Sequence, residues 1–286
     1  MKEIDVLIIG GGPAGLTAAI YASRAGKRVI VIEHNICGGQ IIGTGKPVKN
    51  LPGVIEVSGV DLAMTLTEQA EKSGAEIVYE EIKNIDLQNK VVNEYQAKSI
   101  IISTGASPRK LDAEGAEKED GKRIHYCGLC DGSFYKGKDI VVVGGGNVAV
   151  EDSIYLQSIV KSVTIVNNTQ KFNADATTVA KLNVKDIYHN SEILRVNKDS
   201  VEITGGKIIK CDGIFVFIGQ KPNTEIFDVE KNSGGYIKTD NKMQTSIDGV
   251  FAAGDCREKD VRQLVTACGD GAVSAVSAVH MIGNGA

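Results

Sequence analysis

The sequence predicts an α/β protein made of two Rossmann-like, three-layer (ββα) domains of the dinucleotide-binding type, with the second inserted into the first. Two copies of one pattern predict this fold: an apolar strand, a glycine-rich turn and a helix, then a second apolar strand. The copies span about residues 5–32 and 139–166. Glycine also supplies 33 of the 286 residues, an excess without low complexity that indicates close backbone approaches to a ligand.

In the first copy, each glycine of the turn has a distinct expected role. Gly10 permits the turn, Gly12 lets the backbone approach a pyrophosphate, and Gly15 lets the helix pack on the strand. Glu33 ends the second strand, where it can accept hydrogen bonds from ribose hydroxyls. This favours an adenosine ribose without a 2′-phosphate. A purely structural strand-turn-helix is the alternative.

The other elements follow from apolar patterning and turn residues. In chain order they are a helix at 60–73, short strands within 76–87, a strand at 99–103, a polar linker at 107–123, strands at 200–204 and 213–218, a polar crossing at 239–245, a strand at 249–255 and a helix at 266–282. We therefore expect residues 1–111 and 244–286 to form one domain and residues 112–243 to form the inserted domain.

Charge and hydropathy exclude some classes of function. The chain has 32 Lys and Arg against 36 Asp and Glu, a net charge of −4, whereas a general nucleic-acid or anionic-membrane binder carries a basic excess. No uninterrupted apolar run reaches the roughly 18 residues of a membrane span, and the N-terminal apolar stretch is too short for a signal peptide. We expect a soluble, cytoplasmic protein that binds neither nucleic acid nor membrane.

Cys127 and Cys130 are separated by two residues at a predicted helix start. This spacing can form a strained disulfide and lower a thiol pKa, which suits thiol–disulfide exchange. A zinc site would need a second ligand pair at matching spacing, so no metal site is expected. Inert structural cysteines are the remaining alternative. The isolated cysteines are Cys37, Cys211, Cys256 and Cys268.

The motifs together resemble those of the low-molecular-weight thioredoxin reductases, in order and spacing along nearly the whole chain. They are GGGPAGL, CGGQ, KNLPG, CGLCDGSFY, GGGNVAVED, IGQKPNTEIF, GVFAAGDC and VRQLVTACGDGA. The resemblance implies FAD in the first domain, a redox-active cysteine pair on the inserted domain, thioredoxin as partner and a homodimer. It implies that the flavin cofactor is surrounded by Gly10, Gly12, Gly15, Glu33, Gly39, Gln40, Asn50, Thr104, Gly105, Gly254, Asp255, Arg262 and Gln263.

Catalytic roles follow from the same resemblance. Cys130 matches the cysteine that faces the flavin and takes its electrons, and Cys127 matches the interchange thiol that attacks thioredoxin. Asp131 matches the acid that handles the proton, which suits a thiolate released next to a carboxyl group. A helix cap is the alternative for this aspartate.

The second glycine unit departs from the family pattern. Relatives that use NADPH follow the second strand with H-R-R-x-x-x-R, whose arginines clamp the 2′-phosphate. Here the three arginine positions hold Asn168, Thr169 and Asn173, and Asn167 is not the acid that an NAD site would need. Lys171 is the only nearby cation, and a flexible ammonium group is a poor substitute for the clamp.

These departures resemble the ferredoxin-dependent flavin thioredoxin reductases of anaerobic bacteria. Residues 173–213 are also shorter than in NADPH-using relatives, which fits a loop kept for packing alone. A flavin can accept electrons singly, so an iron–sulfur donor is chemically compatible. We therefore predict a thioredoxin-disulfide reductase with reduced ferredoxin as donor. The alternatives are an NADPH- or NADH-dependent reductase and a non-catalytic flavin redox sensor.

Overall fold

The computed structural model describes residues 1–43 and 47–283, which fall into two compact units. Residues 1–43, 47–107 and those from Lys221 onward form the first unit. Residues 108–220 form the second. The second unit thus lies within the sequence of the first, and the predicted α/β class is confirmed.

The described residues contain strands and helices in alternation. The strands are β1 Lys2–Ile9, β2 Val29–Glu33, β3 Glu76–Tyr79, β4 Ile85–Asp86, β5 Val91–Val92, β6 Tyr95–Ile102, β7 Ala106–Pro108, β8 Ile124–His125, β9 Asp139–Val143, β10 Ser162–Val166, β11 Asp186–Tyr188, β12 Ile193–Val196, β13 Ser200–Ile203, β14 Lys207–Lys210, β15 Gly213–Val216, β16 Gln220–Pro222 and β17 Val250–Ala252. The α-helices are α1 Pro13–Arg24, α2 Gly59–Lys72, α3 Ala116–Glu119, α4 Gly128–Asp131, α5 Asn147–Leu156, α6 Ala176–Val179 and α7 Leu264–Ile282. The 3-10 helices are Gly39–Gly43, Gly132–Tyr135 and Gly254–Cys256.

The first unit is built on one sheet in the order β3-β2-β1-β6-β5-β4, with β17 also paired to β6. β3, β2, β1, β6 and β17 are parallel, and β5 and β4 continue the sheet antiparallel. The central strands are apolar on both faces because helices or loops cover both faces. Ile9 is in register with Ile32 and with Ile102, so the loops after these strands meet at one edge of the sheet.

Helix α7 packs against α1 through small residues. Ala267, Gly271, Ala275 and Ala278 are buried, and a β-carbon on Gly271 would overlap the Ala14 carbonyl oxygen. By length and mean hydropathy (1.3) this helix could cross a membrane. A core helix of this kind has the same composition because it buries one face inside the protein.

The second unit repeats the plan with a five-stranded parallel sheet in the order β11-β10-β9-β15-β8. Val143 at the end of β9 is in register with Val166 and Val216. The carboxyl ends of these strands therefore also meet at one edge. A separate antiparallel sheet, β12-β13-β14, contains the strand predicted at 200–204.

Two connections differ from their sequence-based expectation. Residues 107–123, expected to be a polar linker, include α3, where Ala116 is buried with the core of the second unit. The chain returns to the first unit at Lys221 instead of at residues 239–245. The reason is packing: Phe227 and Ile237 are 1% and 0% exposed in the core of the first unit, which polar patterning could not reveal.

Candidate active site and nucleotide-binding loops

The first glycine loop is open where a phosphate would approach. Gly12 precedes α1 without a side-chain cap, and a β-carbon placed on it would meet nothing within 4 Å. The first amides of a helix lack intrahelical partners and lie at the positive end of its dipole. Gly10 has φ 103°, and a β-carbon there would lie 2.6 Å from the Ser103 carbonyl oxygen. The loop therefore has the geometry of an anion-binding site.

Glu33 is placed beside this loop. Its Oε2 accepts a hydrogen bond from the Gly11 amide at 2.8 Å, and its Oε1 accepts one from the Asn35 amide at 3.0 Å. The carboxylate is half-buried. Each carboxylate oxygen has a further lone pair, so Glu33 can also accept from a ribose hydroxyl.

Several other predicted residues are held by contacts within the first unit. A β-carbon on Gly39 would lie 3.4 Å from the Gly12 Cα atom. Gln40 Nε2 donates to the Ala106 carbonyl at 2.9 Å, and Asn50 Nδ2 donates to Gln263 Oε1 at 3.2 Å.

Thr104 and Gly105 follow β6 and are held in place by one partner. Thr104 Oγ1 donates to the Asn223 carbonyl at 2.6 Å, and Asn223 Nδ2 donates to the Thr104 carbonyl at 2.9 Å. The Asn223 amide also donates to the Gly105 carbonyl at 3.0 Å. Asn223 lies in the segment that sequence patterning assigned to the inserted domain, so its role here was not predicted.

Asp255 and Arg262 carry buried polar atoms that suit a ligand. Asp255 Oδ1 and Arg262 Nε are buried and have no hydrogen-bond partner within the described residues. Burial raises the pKa of the Asp255 carboxyl, although Lys259 and Arg262 act in the opposite direction. Buried polar atoms are rarely left unpaired. Together with the open helix start, they fit a ligand that carries phosphate and hydroxyl groups, as FAD does.

Asp270 fixes the turn that carries Asp255. Its Oδ2 accepts hydrogen bonds from the Gly254 amide at 3.1 Å, Arg257 Nε at 2.9 Å and Lys259 Nζ at 2.8 Å. The residue is 7% exposed, so its charge is paired out of water, where breaking the pairs is costly. Sequence reasoning did not identify Asp270, because an aspartate within a small-residue helix carries no local signal.

The second glycine loop has the same backbone but a different side chain beside it. The Gly144 amide donates to the Val166 carbonyl at 2.9 Å, as the Gly10 amide does to Ile32 at 2.8 Å. Asn167 thus stands where Glu33 stands in the first unit. It is 2% exposed, and a β-carbon on Gly145 would overlap its amide.

The Asn167 amide is used within its own loop. Its Nδ2 lies 3.2 Å from the Lys171 carbonyl and 3.2 Å from His189 Nδ1, and its Oδ1 accepts from Thr169 Oγ1 at 3.0 Å. The side chain thereby ties residues 167–171 into a closed turn. The described side chain presents no free acceptor to a ribose.

The residues at the positions where NADPH-using relatives carry arginine also make local contacts. The Asn173 amide donates to the Gly145 carbonyl at 2.7 Å, and residues 146 and 173 form a β-bridge. Asn168 Nδ2 lies 3.4 Å from the Glu192 carboxylate. A carboxylate at this point repels a phosphate.

Cys127 is disulfide-bonded. The isolated cysteines Cys37, Cys211, Cys256 and Cys268 are free thiols. The side chains of Leu129 and Cys130 lie outside the described part of the structure, so the predicted partner is not observed directly. Among the described residues, no cluster of His, Cys, Asp and Glu could hold a metal ion.

Asp131 contacts a histidine that sequence reasoning did not assign. Asp131 Oδ2 lies 3.2 Å from His125 Nδ1, and His125 Nε2 lies 2.9 Å from the Tyr135 hydroxyl. The only sequence signal was position, since His125 stands two residues before the cysteine motif.

Comparisons with known proteins agree with this architecture. A family model described as pyridine nucleotide-disulphide oxidoreductase matches residues 4–271. The "34.2 kDa protein in rubredoxin operon" of Clostridium pasteurianum is 44% identical, over 99% of this chain and 98% of the relative. The thioredoxin reductase of Bacillus subtilis (strain 168) is 39% identical, over 98% and 95%.

Solved structures are similar over the same length. The crystal structure of Lactococcus lactis thioredoxin reductase (FR conformation) has a TM-score of 0.82 at 34% identity and covers 98% of this chain and 99% of that one. The crystal structure of T. acidophilum thioredoxin reductase has a TM-score of 0.80 at 32% identity and covers 97% of this chain and 98% of that one.

The chain belongs to the pyridine nucleotide-disulphide oxidoreductase family. Within it, the chain is a flavoprotein disulfide oxidoreductase of the low-molecular-weight thioredoxin reductase type.

Proposed function

We propose that the enzyme carries electrons from FAD, held by the first unit, to a disulfide between Cys127 and Cys130 in the second unit, and from there to thioredoxin. The disulfide at Cys127 supports this proposal, as do the four free thiols elsewhere. The family's thioredoxin reductase relatives support thioredoxin as the acceptor. Reduced ferredoxin is the proposed electron donor.

The first unit is proposed to hold FAD through the residues at the carboxyl edge of its sheet. The amides at the start of α1 would face the pyrophosphate, and Glu33 the adenosine ribose. On the flavin side, Asp255 and Arg262 would use the buried atoms for which the described part of the chain supplies no partner. Gly39, Gln40, Asn50, Thr104, Gly105, Gly254 and Gln263 complete the proposed site. Bound FAD supplies a two-electron carrier that can be filled one electron at a time.

The second unit is proposed to perform the thiol chemistry. Reduction of the disulfide breaks its S–S bond and consumes two electrons and one proton to give a thiolate and a thiol. Cys130 is proposed to receive the electrons and Cys127 to attack the thioredoxin disulfide. Asp131 would move a proton to or from the adjacent thiol, since a carboxylate next to a thiolate can serve as acid and base.

The observation that carries the choice of donor is the closed turn at Asn167. NADPH would need a positive clamp for its 2′-phosphate. Asn168 and Thr169 are neutral, and the Glu192 carboxylate lies within 3.4 Å of Asn168. NADH would need an acceptor in place of Asn167, whose amide is already hydrogen-bonded within its turn. A one-electron donor that reduces the flavin without this loop fits both features.

An anaerobic titration tests the donor. The oxidised enzyme is mixed with NADPH, with NADH or with reduced ferredoxin, and the flavin absorbance is followed. Dithionite serves as the control that the flavin can be reduced. We expect rapid bleaching with ferredoxin alone, whereas bleaching by micromolar NADPH or NADH would exclude the ferredoxin assignment.

The sensor alternative is tested by turnover. With reduced methyl viologen as an artificial donor, an enzyme reduces many equivalents of oxidised thioredoxin, and a sensor at most one. Cys127→Ser is the matched control, because it should abolish turnover and leave flavin content unchanged.

A homodimer working in the cytoplasm completes the proposal. Val265, Val273 and Val276 on α7 are about 40% exposed, and a second copy could cover them. Free thiols are typical of a reducing compartment. Light scattering at several concentrations tests the dimer, and a concentration-independent monomer mass would exclude it.

A further inference from the structure

Three side chains of the second unit form a hydrogen-bonded chain that ends at Asp131. Asp131 Oδ2 lies 3.2 Å from His125 Nδ1. The other ring nitrogen, His125 Nε2, lies 2.9 Å from the Tyr135 hydroxyl. That hydroxyl donates to the Lys122 carbonyl, 3.4 Å away.

Packing fixes the His125 ring between two aromatic side chains. The ring centroids of Tyr135 and Phe215 lie 5.3 and 5.4 Å from that of His125. A β-carbon on Gly213 would overlap the Tyr135 ring, so glycine is required for Tyr135 to lie there. The His125 side chain is 12% exposed and that of Asp131 is 30% exposed. The chain therefore leads from the core to the more exposed carboxylate.

Among the described residues near this hydrogen-bonded chain, Asp131 is the acidic group in direct contact with His125. Arg123, Cys211 and Asp212 face Tyr135, but Arg123 donates to the Cys211 and Asp212 carbonyls at 2.8 and 3.1 Å. Burial raises the pKa of the Cys211 thiol to about 11, so this thiol stays neutral. Burial also raises the pKa of Tyr135, which keeps its hydroxyl protonated.

This arrangement assigns different tasks to the two ring nitrogens. Because Tyr135 donates to Lys122, its oxygen can accept from His125 Nε2–H. When the ring is protonated, its second proton lies on Nδ1 and faces Asp131. Loss of that proton leaves the hydrogen bonds at Nε2 unchanged, so the imidazole can pass a proton without rearranging its core contacts.

We propose that His125 is a positioning residue that orients Asp131 and stores the proton which Asp131 delivers to the redox-active pair. The inference rests on the proposed role of Asp131. As the S–S bond accepts two electrons from the flavin, one sulfur becomes a thiolate and the other a thiol. The proton for the thiol comes from the Asp131 carboxyl group, which regains it from His125 Nδ1. His125 is left neutral and regains its proton from solvent.

The test compares wild type with His125→Gln, which can hydrogen-bond but cannot titrate. His280→Gln is the matched control, since His280 is an exposed histidine near the end of α7. The first measurement needs neither donor nor thioredoxin. The protein is equilibrated in dithiothreitol redox buffers from pH 5.5 to 8.5, and its free thiols are alkylated and counted by mass. The second measurement is the pH profile of turnover with methyl viologen and thioredoxin.

In wild type and in His280→Gln, we expect the pH dependence of the midpoint potential to change slope within the measured range of pH 5.5 to 8.5. This change of slope should be absent from His125→Gln. The turnover of His125→Gln should fall about 10-fold or more and should no longer show the wild-type dependence on pH. A His125→Gln protein with wild-type curves in both measurements would overturn the inference. Failure of wild type to reduce thioredoxin, with the change of slope retained, would instead count against the proposed function.

Tyr135→Phe covers the case in which His125→Gln does not fold. It keeps the ring against Gly213 and removes the oxygen that accepts from Nε2. We expect the pH profile of turnover to shift while FAD content stays at the wild-type level. An unchanged pH profile would contradict the role assigned to the hydrogen-bonded chain of Asp131, His125 and Tyr135.

Discussion

Glu33 and Asn167 occupy equivalent positions in the two glycine units, and their side chains act in opposite ways. Glu33 accepts a hydrogen bond from the Gly11 amide at 2.8 Å and remains half-buried at the loop. Asn167 is 2% exposed and is hydrogen-bonded inside its own turn. One unit therefore has a half-buried carboxylate beside its glycine loop, and the other has a closed turn.

Asn167→Asp should destabilise the protein. A carboxylate cannot donate to the Lys171 carbonyl, and it places a charge in a buried site next to carbonyl oxygens. We expect a loss of about 3 kcal/mol in the free energy of unfolding, measured by urea denaturation. Asn183→Asp, at an exposed position, should change it by less than about 0.5 kcal/mol. Equal stability of the two variants would show that the buried turn does not depend on the amide.

Gly12→Ala and Gly15→Ala should separate ligand binding from folding. A β-carbon at Gly15 would overlap the Gly10 carbonyl oxygen and lie 2.6 Å from Ser103 Oγ. We expect Gly15→Ala to destabilise the apoprotein by about 2 kcal/mol. Among the described residues, a β-carbon at Gly12 would meet nothing within 4 Å beyond its chain neighbours, so Gly12→Ala should fold normally but lose FAD during gel filtration. Full FAD retention by Gly12→Ala would contradict the close approach of a pyrophosphate.

Asp255→Asn should stabilise the apoprotein and weaken FAD binding. Burial raises the pKa of Asp255 above its usual value of 3.8. Its contribution to stability is therefore favourable below pH 3.8 and is lost as the pH rises through the raised pKa, so at neutral pH the charge is a cost. Removing it should raise the free energy of unfolding by about 1 kcal/mol, while FAD affinity falls about 10-fold.

Thermal unfolding of the apoprotein and equilibrium FAD titration measure the two effects of Asp255→Asn. Asp248→Asn, on an exposed loop of the same unit, serves as the control. A variant that gains stability and keeps its FAD affinity would argue against a ligand contact at Asp255.

The two cysteines should differ in their effect on the flavin spectrum. Cys127→Ser leaves Cys130 as a thiolate that can interact with the oxidised flavin, so we expect a long-wavelength absorbance band. Cys130→Ser should lack it. Spectra recorded between pH 6 and 9 would check this, and a band in Cys130→Ser alone would reverse the assigned roles.

The sequence alone predicted the features that depend on local backbone conformation. Both strand-turn-helix units were predicted because apolar runs and glycine turns are local features, and the loops at Gly10 and Gly144 have the expected conformation. The return point of the chain was not predicted. The segment that contains Phe227 and Ile237 is mostly polar, with few apolar residues. It belongs to the first unit because those apolar side chains contact strands that are distant in sequence.

The sequence by itself determined the fold class, the two glycine loops, the cysteine motif and the missing arginines, because each depends on residue type at short spacing. Only the tertiary structure decided that Asn167 closes its own turn, that Asp255 and Arg262 hold buried atoms with no partner among the described residues, and that His125 contacts Asp131. These relationships depend on burial and on side-chain direction. Both are set by how strands far apart in the chain lie side by side.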